Sequence, residues 1–174
     1  MEDSALVIPV NLPPELEAVR QAHDPGAGML PAHITIIVPF CPPSDREEVL
    51  PILGRLAENV TAFHVWTDGV GLFPGAELHT VYLRVAPEEA IQRLIRAVHN
   101  RFQDYPPYSG RHHAVVPHIT VARVGGDQIG EAFHAACQAF RADGDRIWFA
   151  AESLVWITGE GGSEVETIAL RPAP

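Results

Sequence analysis

The chain has 174 residues, 47% hydrophobic and 20% charged, a composition that can bury a real core and need not be disordered. Its formal net charge of −10 opposes a long nucleic acid tract, and the absence of any lysine excludes a P-loop, a Schiff base and a nucleotidyl-lysine ligase. The acidic start Met1-Glu2-Asp3-Ser4 carries no signal-peptide pattern, no apolar run reaches membrane-spanning length, and Cys41 and Cys137 lack metal-type spacing, so a cytoplasmic protein without a membrane partner is expected.

Residues 4–12 read as a strand, and Pro9 within it predicts an edge position. Pro13 and Pro14 open a helix reaching about His23, with Leu16 and Val19 inward. Asp24-Pro25-Gly26-Ala27-Gly28 forms a loop before a strand that begins at His33 and ends at Pro39-Phe40. Ser44-Asp45-Arg46-Glu47 has the form of a capping box for a helix over residues 45–58, which Pro51 should kink or interrupt. Residues 62–67 read as a strand. Gly69, Gly71, Pro74 and Gly75 mark a turn region around Leu72-Phe73, and residues 78–85 form the next strand. Pro87-Glu88-Glu89 opens a helix to about Phe102 on an Ile91, Leu94, Ile95, Val98 stripe. A loop rich in Pro, Tyr, Arg and His covers residues 104–116. After the following strand, Gly125-Gly126-Asp127 should cap a helix over residues 128–140. Three late strands follow near residues 147–149, 153–158 and 165–170, with a hairpin turn at 159–163.

Each half of this pattern holds strands, helices and one copy of the same short stretch. The first copy is Pro31-Ala32-His33-Ile34-Thr35-Ile36 and the second is Val116-Pro117-His118-Ile119-Thr120-Val121. The expected fold is therefore α+β: residues 1–174 as one bilobal domain of duplicated sheet-and-helix lobes. A pseudo-two-fold axis should relate the lobes across a central cleft, with the boundary near residues 60–75. In a strand, residues i and i+2 share a face, so His33 projects with Thr35 and His118 with Thr120, while Ile34 and Ile119 point into packing.

Two imidazoles and two hydroxyls facing each other suit phosphodiester or cyclic phosphate hydrolysis. An ordinary histidine titrates near pH 6.5, so a neutral ring takes a proton from water while a protonated ring gives one to the leaving oxygen. Thr35 and Thr120 would donate to the non-bridging oxygens, where charge sits. Such chemistry needs no metal and no cofactor.

These paired motifs resemble the signatures of the two-histidine phosphoesterase superfamily, which includes bacterial 2′-5′ RNA ligase-like proteins and RNA 2′,3′-cyclic phosphodiesterases. The resemblance covers nearly the whole chain, with Pro39-Phe40, the Gly71-Leu72-Phe73-Pro74 segment and the 78–85 strand in the expected order. It implies a bilobal α+β fold and metal-independent catalysis with His33, His118, Thr35 and Thr120 in the site. The expected substrate is a small nucleotide or an RNA terminus, and a monomer is expected.

Other residues carry weaker signals. Phe40, just past the first motif, is a candidate wall of the site. Phe73 and Tyr108, with Tyr105, are candidate stacking partners for a base. Arg111, His112 and His113 stand in a loop that could close over the cleft. Arg123 has the opposite strand parity to His118 and Thr120 and is excluded unless a bulge intervenes. His79 reads as structural, and His23, His64, His99 and His134 as surface or satisfied side chains. Two alternatives stand beside the phosphodiesterase. One is a metal-dependent hydrolase using His33, His118 and Asp24; the other is a module that binds a nucleotide or RNA end without cleaving it.

Overall fold

The β-branched run behind each histidine forms a strand, and the rest of the chain is arranged around these two. The structure, a computed structural model, describes residues 4–111, 115–144, 146–158 and 163–173. In chain order the elements are β1 (Ser4–Pro9), α1 (Pro14–His23), β2 (His33–Ile37), α2 (Arg46–Glu58), β3 (Phe63–Phe73), β4 (His79–Ala86), α3 (Glu88–His99), β5 (His118–Val124), α4 (Ile129–Ala142), β6 (Ile147–Ala151), β7 (Ser153–Thr158) and β8 (Glu164–Ala169). The strands form an eight-stranded antiparallel sheet in the order β6-β3-β4-β5-β2-β1-β7-β8.

The two expected lobes are the two four-stranded halves of this sheet. The motif strands β5 and β2 lie innermost, and the halves are registered to each other through Ile34 and Ile119. In each half the strand before the motif, β4 or β1, pairs with it after an intervening helix. The helices cross over: α1 packs on β5, and α3 packs on β2. Each half thus completes its core with the other's helix, which compensates for the narrow strand-to-strand join. Ile34, Ile36, Ile91, Leu94, Ile119 and Val121 are all buried in that shared core.

A single boundary near residues 60–75 does not divide the halves. The chain enters the second half at β3, but β7 and β8 return to the first and flank β1. That return also corrects the position of β1, which is interior and not an edge strand. Pro9 is tolerated because it is the last residue of β1; pairing to β7 has ended at Val7, so no ladder donor is missed on that side.

Several local expectations change for identifiable reasons. The Ser44 hydroxyl donates to Asp45 Oδ1 (3.0 Å) and caps no helix N–H, because Pro43–Asp45 forms a short 3₁₀ turn ahead of α2. The helix then runs through Pro51 to Glu58 without interruption. Asp127 likewise makes no cap; α4 starts from Gln128 without a side-chain capping bond. Of the residues expected to form a turn, Pro74 and Gly75 do fall in the β3–β4 connection, but Gly69 and Gly71 lie instead inside β3, which continues to Phe73 past an irregularity between Thr67 and Val70. Gly71 is required there because a Cβ would lie 2.4 Å from the Tyr82 ring. The 159–163 hairpin falls largely outside the described residues, although β7 and β8 are paired as expected. Among the described residues, no helix is long and apolar enough to cross a membrane.

Candidate functional site

β2 and β5 present their motifs in the same way. In each, the isoleucine is fully buried while the flanking histidine and threonine are half-buried on the opposite face. Because Ile34 and Ile119 are antiparallel partners, the register sets His33 beside Thr120 and Thr35 beside His118. The fold therefore assembles all four residues at the join of the two halves, each imidazole next to the other motif's hydroxyl.

The rings are held alike. His33 Nδ1 donates to the Pro31 carbonyl and His118 Nδ1 to the Val116 carbonyl, both at 2.8 Å. A carbonyl only accepts, so Nδ1 carries the hydrogen and the neutral ring leaves Nε2 bare. Burial pulls both pKa values below the ordinary 6.5, opposed by the backbone hydrogen bond. Arg20 and Arg123 depress His33 further and Asp24 opposes them, whereas His118 is depressed by His33 itself and by Arg123. His118 thus senses the charge of His33, and one cation acts on both rings.

That cation is the residue excluded by parity. β5 carries a bulge against β4: Val81 faces Ala122 and Tyr82 faces Thr120, so Val121 is an extra residue. The extra residue reverses the alternation, leaving Val121 and Ala122 both buried and returning Arg123 to the face of His118 and Thr120. Thr120 and Arg123 line both cavities that meet at the motifs. The larger, of about 410 Å³, is also lined by Phe73, Pro74, Thr80, Tyr108, Val115, Val116 and His118. The smaller, of about 30 Å³, is completed by Arg20, Asp24, Gly26, Leu30, Ala32 and His33.

Arg20 is a second basic residue that sequence reasoning missed. It is 3% exposed on α1, paired with Glu17 at 3.0 Å and with Asp24 at 3.8 Å, and it donates to the Leu30 carbonyl. The helical position of Arg20, one turn before Asp24, gave no hint that the following loop would fold back beside His33. Asp24 is committed to Arg20 and to the Gly26 N–H (3.0 Å), which does not suit the role of third metal ligand. No group of three His, Cys, Asp or Glu side chains suited to a metal ion occurs among the described residues.

The remaining candidates divide by position. Tyr108 lines the larger cavity, and its hydroxyl is hydrogen-bonded with the Thr35 side chain; burial raises its pKa. It is held there by a left-handed backbone (φ 53°) and by its N–H donating to the Val38 carbonyl at 2.6 Å. Phe73 also lines the cavity. It stacks on Tyr82 at 4.0 Å between centroids and meets the His118 ring edge-on at 5.0 Å. Phe40, by contrast, does not wall the site. It is 2% exposed and packs edge-on against Phe102 (5.1 Å) and Trp156 (5.4 Å), because the chain turns inward after β2. Tyr105 joins that aromatic cluster at 6.0 Å. Arg111 is solvent-exposed and does not line the cavities, since the reversal at Tyr108 and Ser109 carries it away; His112 and His113 lie outside the described residues. His79 is structural, accepting from the Gly75 N–H at 3.3 Å. His64 and His134 are exposed and His23 is half-buried, but the buried Nδ1 of His99 has no hydrogen-bond partner among the described residues and so is not satisfied there.

The sequence and the fold are matched among known proteins. The family model of the 2′-5′ RNA ligase superfamily matches residues 8–162. A protein of Oceanobacillus iheyensis that carries the name phosphoesterase is 28% identical over 113 residues, 63% of this chain and 62% of that protein. A phosphoesterase-named protein of Bacillus cytotoxicus is 27% identical over 67% of this chain and 63% of its own length. The match therefore spans somewhat under two thirds of these relatives. Among solved structures, E. coli LigT superposes with a TM-score of 0.58 at 17% identity over 98% of both chains. Kluyveromyces marxianus Usb1 gives 0.59 at 13% identity, covering 96% of this chain and 97% of that one. LigT has been solved with phosphate, with 3′-AMP and with NADP+, and Usb1 with uridine monophosphate. With its two H-x-T strands joined at the centre of one α+β sheet, the chain belongs to the 2′-5′ RNA ligase superfamily, among the two-histidine phosphoesterases.

Proposed function

We propose that the protein is a metal-independent phosphodiesterase that hydrolyses 2′,3′-cyclic phosphates or related small cyclic or 2′-5′ nucleotide phosphodiesters. The observation that carries this reading is the join of the sheet, where the Ile34–Ile119 register sets His33 beside Thr120 and Thr35 beside His118, and where Thr120 and Arg123 line both the cavity of His33 and the cavity of His118. The ligands in the LigT and Usb1 structures, phosphate and small nucleotides, are of the class this reading assigns to the chain.

In the proposed reaction the phosphate lies between the two Nε2 atoms, one bare and one protonated. One neutral imidazole accepts a proton from the attacking water, and the other, protonated, donates to the departing ribose oxygen. Depressed pKa values suit the base, because it stays neutral at physiological pH. A phosphate bound between the rings would add negative charge, which favours the protonated form of the acid partner. The hydroxyls of Thr35 and Thr120 and the Arg123 guanidinium stabilise the charge that gathers on the non-bridging oxygens. Phe73, Tyr108, Val115 and Val116 make the larger cavity apolar on the side where a base would lie.

The test is a panel of 2′,3′-cyclic mononucleotides, 2′-5′ dinucleotides and ADP-ribose cyclic phosphate, assayed with excess EDTA. Turnover of at least one class, unaffected by chelation, is expected. Activity that EDTA abolishes and zinc restores would replace the reading by the metal-dependent one. Tight binding without product would replace it by an end-binding module.

A further inference from the structure

The face that carries His118 does not stop at the candidate site. His118 is the cross-strand partner of Arg84, and Tyr82 of Thr120, so Tyr82, Arg84 and Ala86 lie on the site's face of β4 while Val81, Leu83 and Val85 point into the core. Ala86 is in turn the partner of Trp66 on β3, and Trp66 is the partner of Trp148 on the edge strand β6. The register thus puts Trp66 and Trp148 on the same side of the half-sheet as His118.

Trp148 is 56% exposed and Trp66 half-buried; the two rings lie 4.9 Å apart, and the Arg146 guanidinium sits 5.3 Å over Trp66. Between them and His118, Arg84 lies across β3, donating to Asp68 Oδ1 (3.2 Å) and to the Asp68 carbonyl (3.3 Å). Residue 69 beneath it is glycine, at φ 153°, and a Cβ there would meet the Arg84 Nη2 at 2.5 Å and displace the guanidinium. Large exposed aromatics are unusual on a solvated sheet face, and here a guanidinium accompanies them. Taking standard strand spacing, Trp148 lies three strands over and two residues along from His118, roughly 16 Å away and beyond the reach of a single nucleotide.

We propose that this strip binds the nucleotides preceding a scissile terminal phosphate, making the preferred substrate the 3′ end of a short single-stranded RNA. The Trp66–Trp148 pair stacks a base, and Arg84 and Arg146 meet the backbone phosphates between it and His118. Stacking serves any base sequence and needs few cations, which suits a chain whose overall charge is −10. The proposal rests on the phosphodiesterase reading for the terminal phosphate but on the exposed tryptophans for the length of the substrate.

The two are separated by comparing a 2′,3′-cyclic mononucleotide with a tetraribonucleotide ending in the same cyclic phosphate, and by tryptophan fluorescence with a tetraribonucleotide 3′-phosphate. Trp156 is fully buried, so quenching reports on Trp66 and Trp148. The expected result is a kcat/KM about tenfold or more higher for the tetranucleotide, through KM, together with quenching on binding. Trp148→Ala should remove both effects and leave the mononucleotide rate unchanged. Equal kcat/KM for the two lengths without quenching, or an equal loss on both substrates in Trp148→Ala, overturns the proposal. So does a dimer through β6 that Trp148→Ala dissolves without any dependence on RNA length. Quenching that Trp148→Ala abolishes, in a protein that cleaves neither substrate, would uphold the stacking surface and remove the catalytic reading alone.

Discussion

Arg123→Gln is the perturbation that separates the observed site from the one a regular strand would have built. Arg123 lines both cavities at the motifs and depresses the pKa of both His33 and His118. Glutamine keeps much of the stem and a donor but removes the charge, so two effects follow together. Loss of one charged donor to the developing phosphorane charge costs about 2.7–4 kcal/mol, or about 10²–10³ in kcat. Both histidines lose a depressing neighbour, so the kcat/KM profile moves to higher pH on both limbs. Arg123 is exposed in β5 and forms no ion pair among the described residues, so the melting temperature should hardly change. The assay is hydrolysis of the best cyclic substrate across a pH series, with thermal denaturation as control. A wild-type rate and an unmoved profile in Arg123→Gln would refute the placement of this side chain by the Val121 bulge.

Phe40→Ala should lower stability by about 3–5 kcal/mol, because it empties a buried aromatic cluster, yet leave kcat/KM near wild type well below the melting temperature; a selective KM increase in a stable variant would return Phe40 to the site. The free-enzyme kcat/KM optimum should fall on the acid side of 6.5, since both histidine pKa values are lowered, chiefly by burial; an optimum above about pH 8 would contradict it. The same shifts bear on stability. Below 6.5 the unfolded chain binds protons that the folded histidines still resist. Their contribution is therefore complete above 6.5 and declines as pH falls from there toward the depressed folded values. The drop in melting temperature on acidification should accordingly be smaller in His33→Gln/His118→Gln than in wild type. An equal drop would show that the two rings are not the groups responsible.

Most of the site was legible because its signals are local. Histidine, a β-branched residue and threonine define a strand face wherever they occur, and two copies set two faces. The bulge at Val121 was not legible. It exists only in the register between β5 and β4, and parity counted along β5 alone puts Arg123 on the wrong side. Phe40 was misplaced for a related reason: adjacency to a motif says nothing of direction once the strand has ended. The glycines of β3 looked like a turn because sequence records only their flexibility. What demands them is the Tyr82 ring lying over Gly71 and the positive φ of 153° at Gly69. The return of β7 and β8 to the first half, and the exchange of α1 and α3 between halves, are long-range pairings with no trace in local pattern.

The central claim is that two imidazoles act as one unit on a single phosphorus. The most direct measurement is the turnover of a 2′,3′-cyclic nucleotide in EDTA by His33→Ala, His118→Ala and the double variant. Each single substitution should reduce kcat by about 10²–10⁴, and the double should cost far less than the product of the two. Wild-type turnover in either single variant would contradict the account.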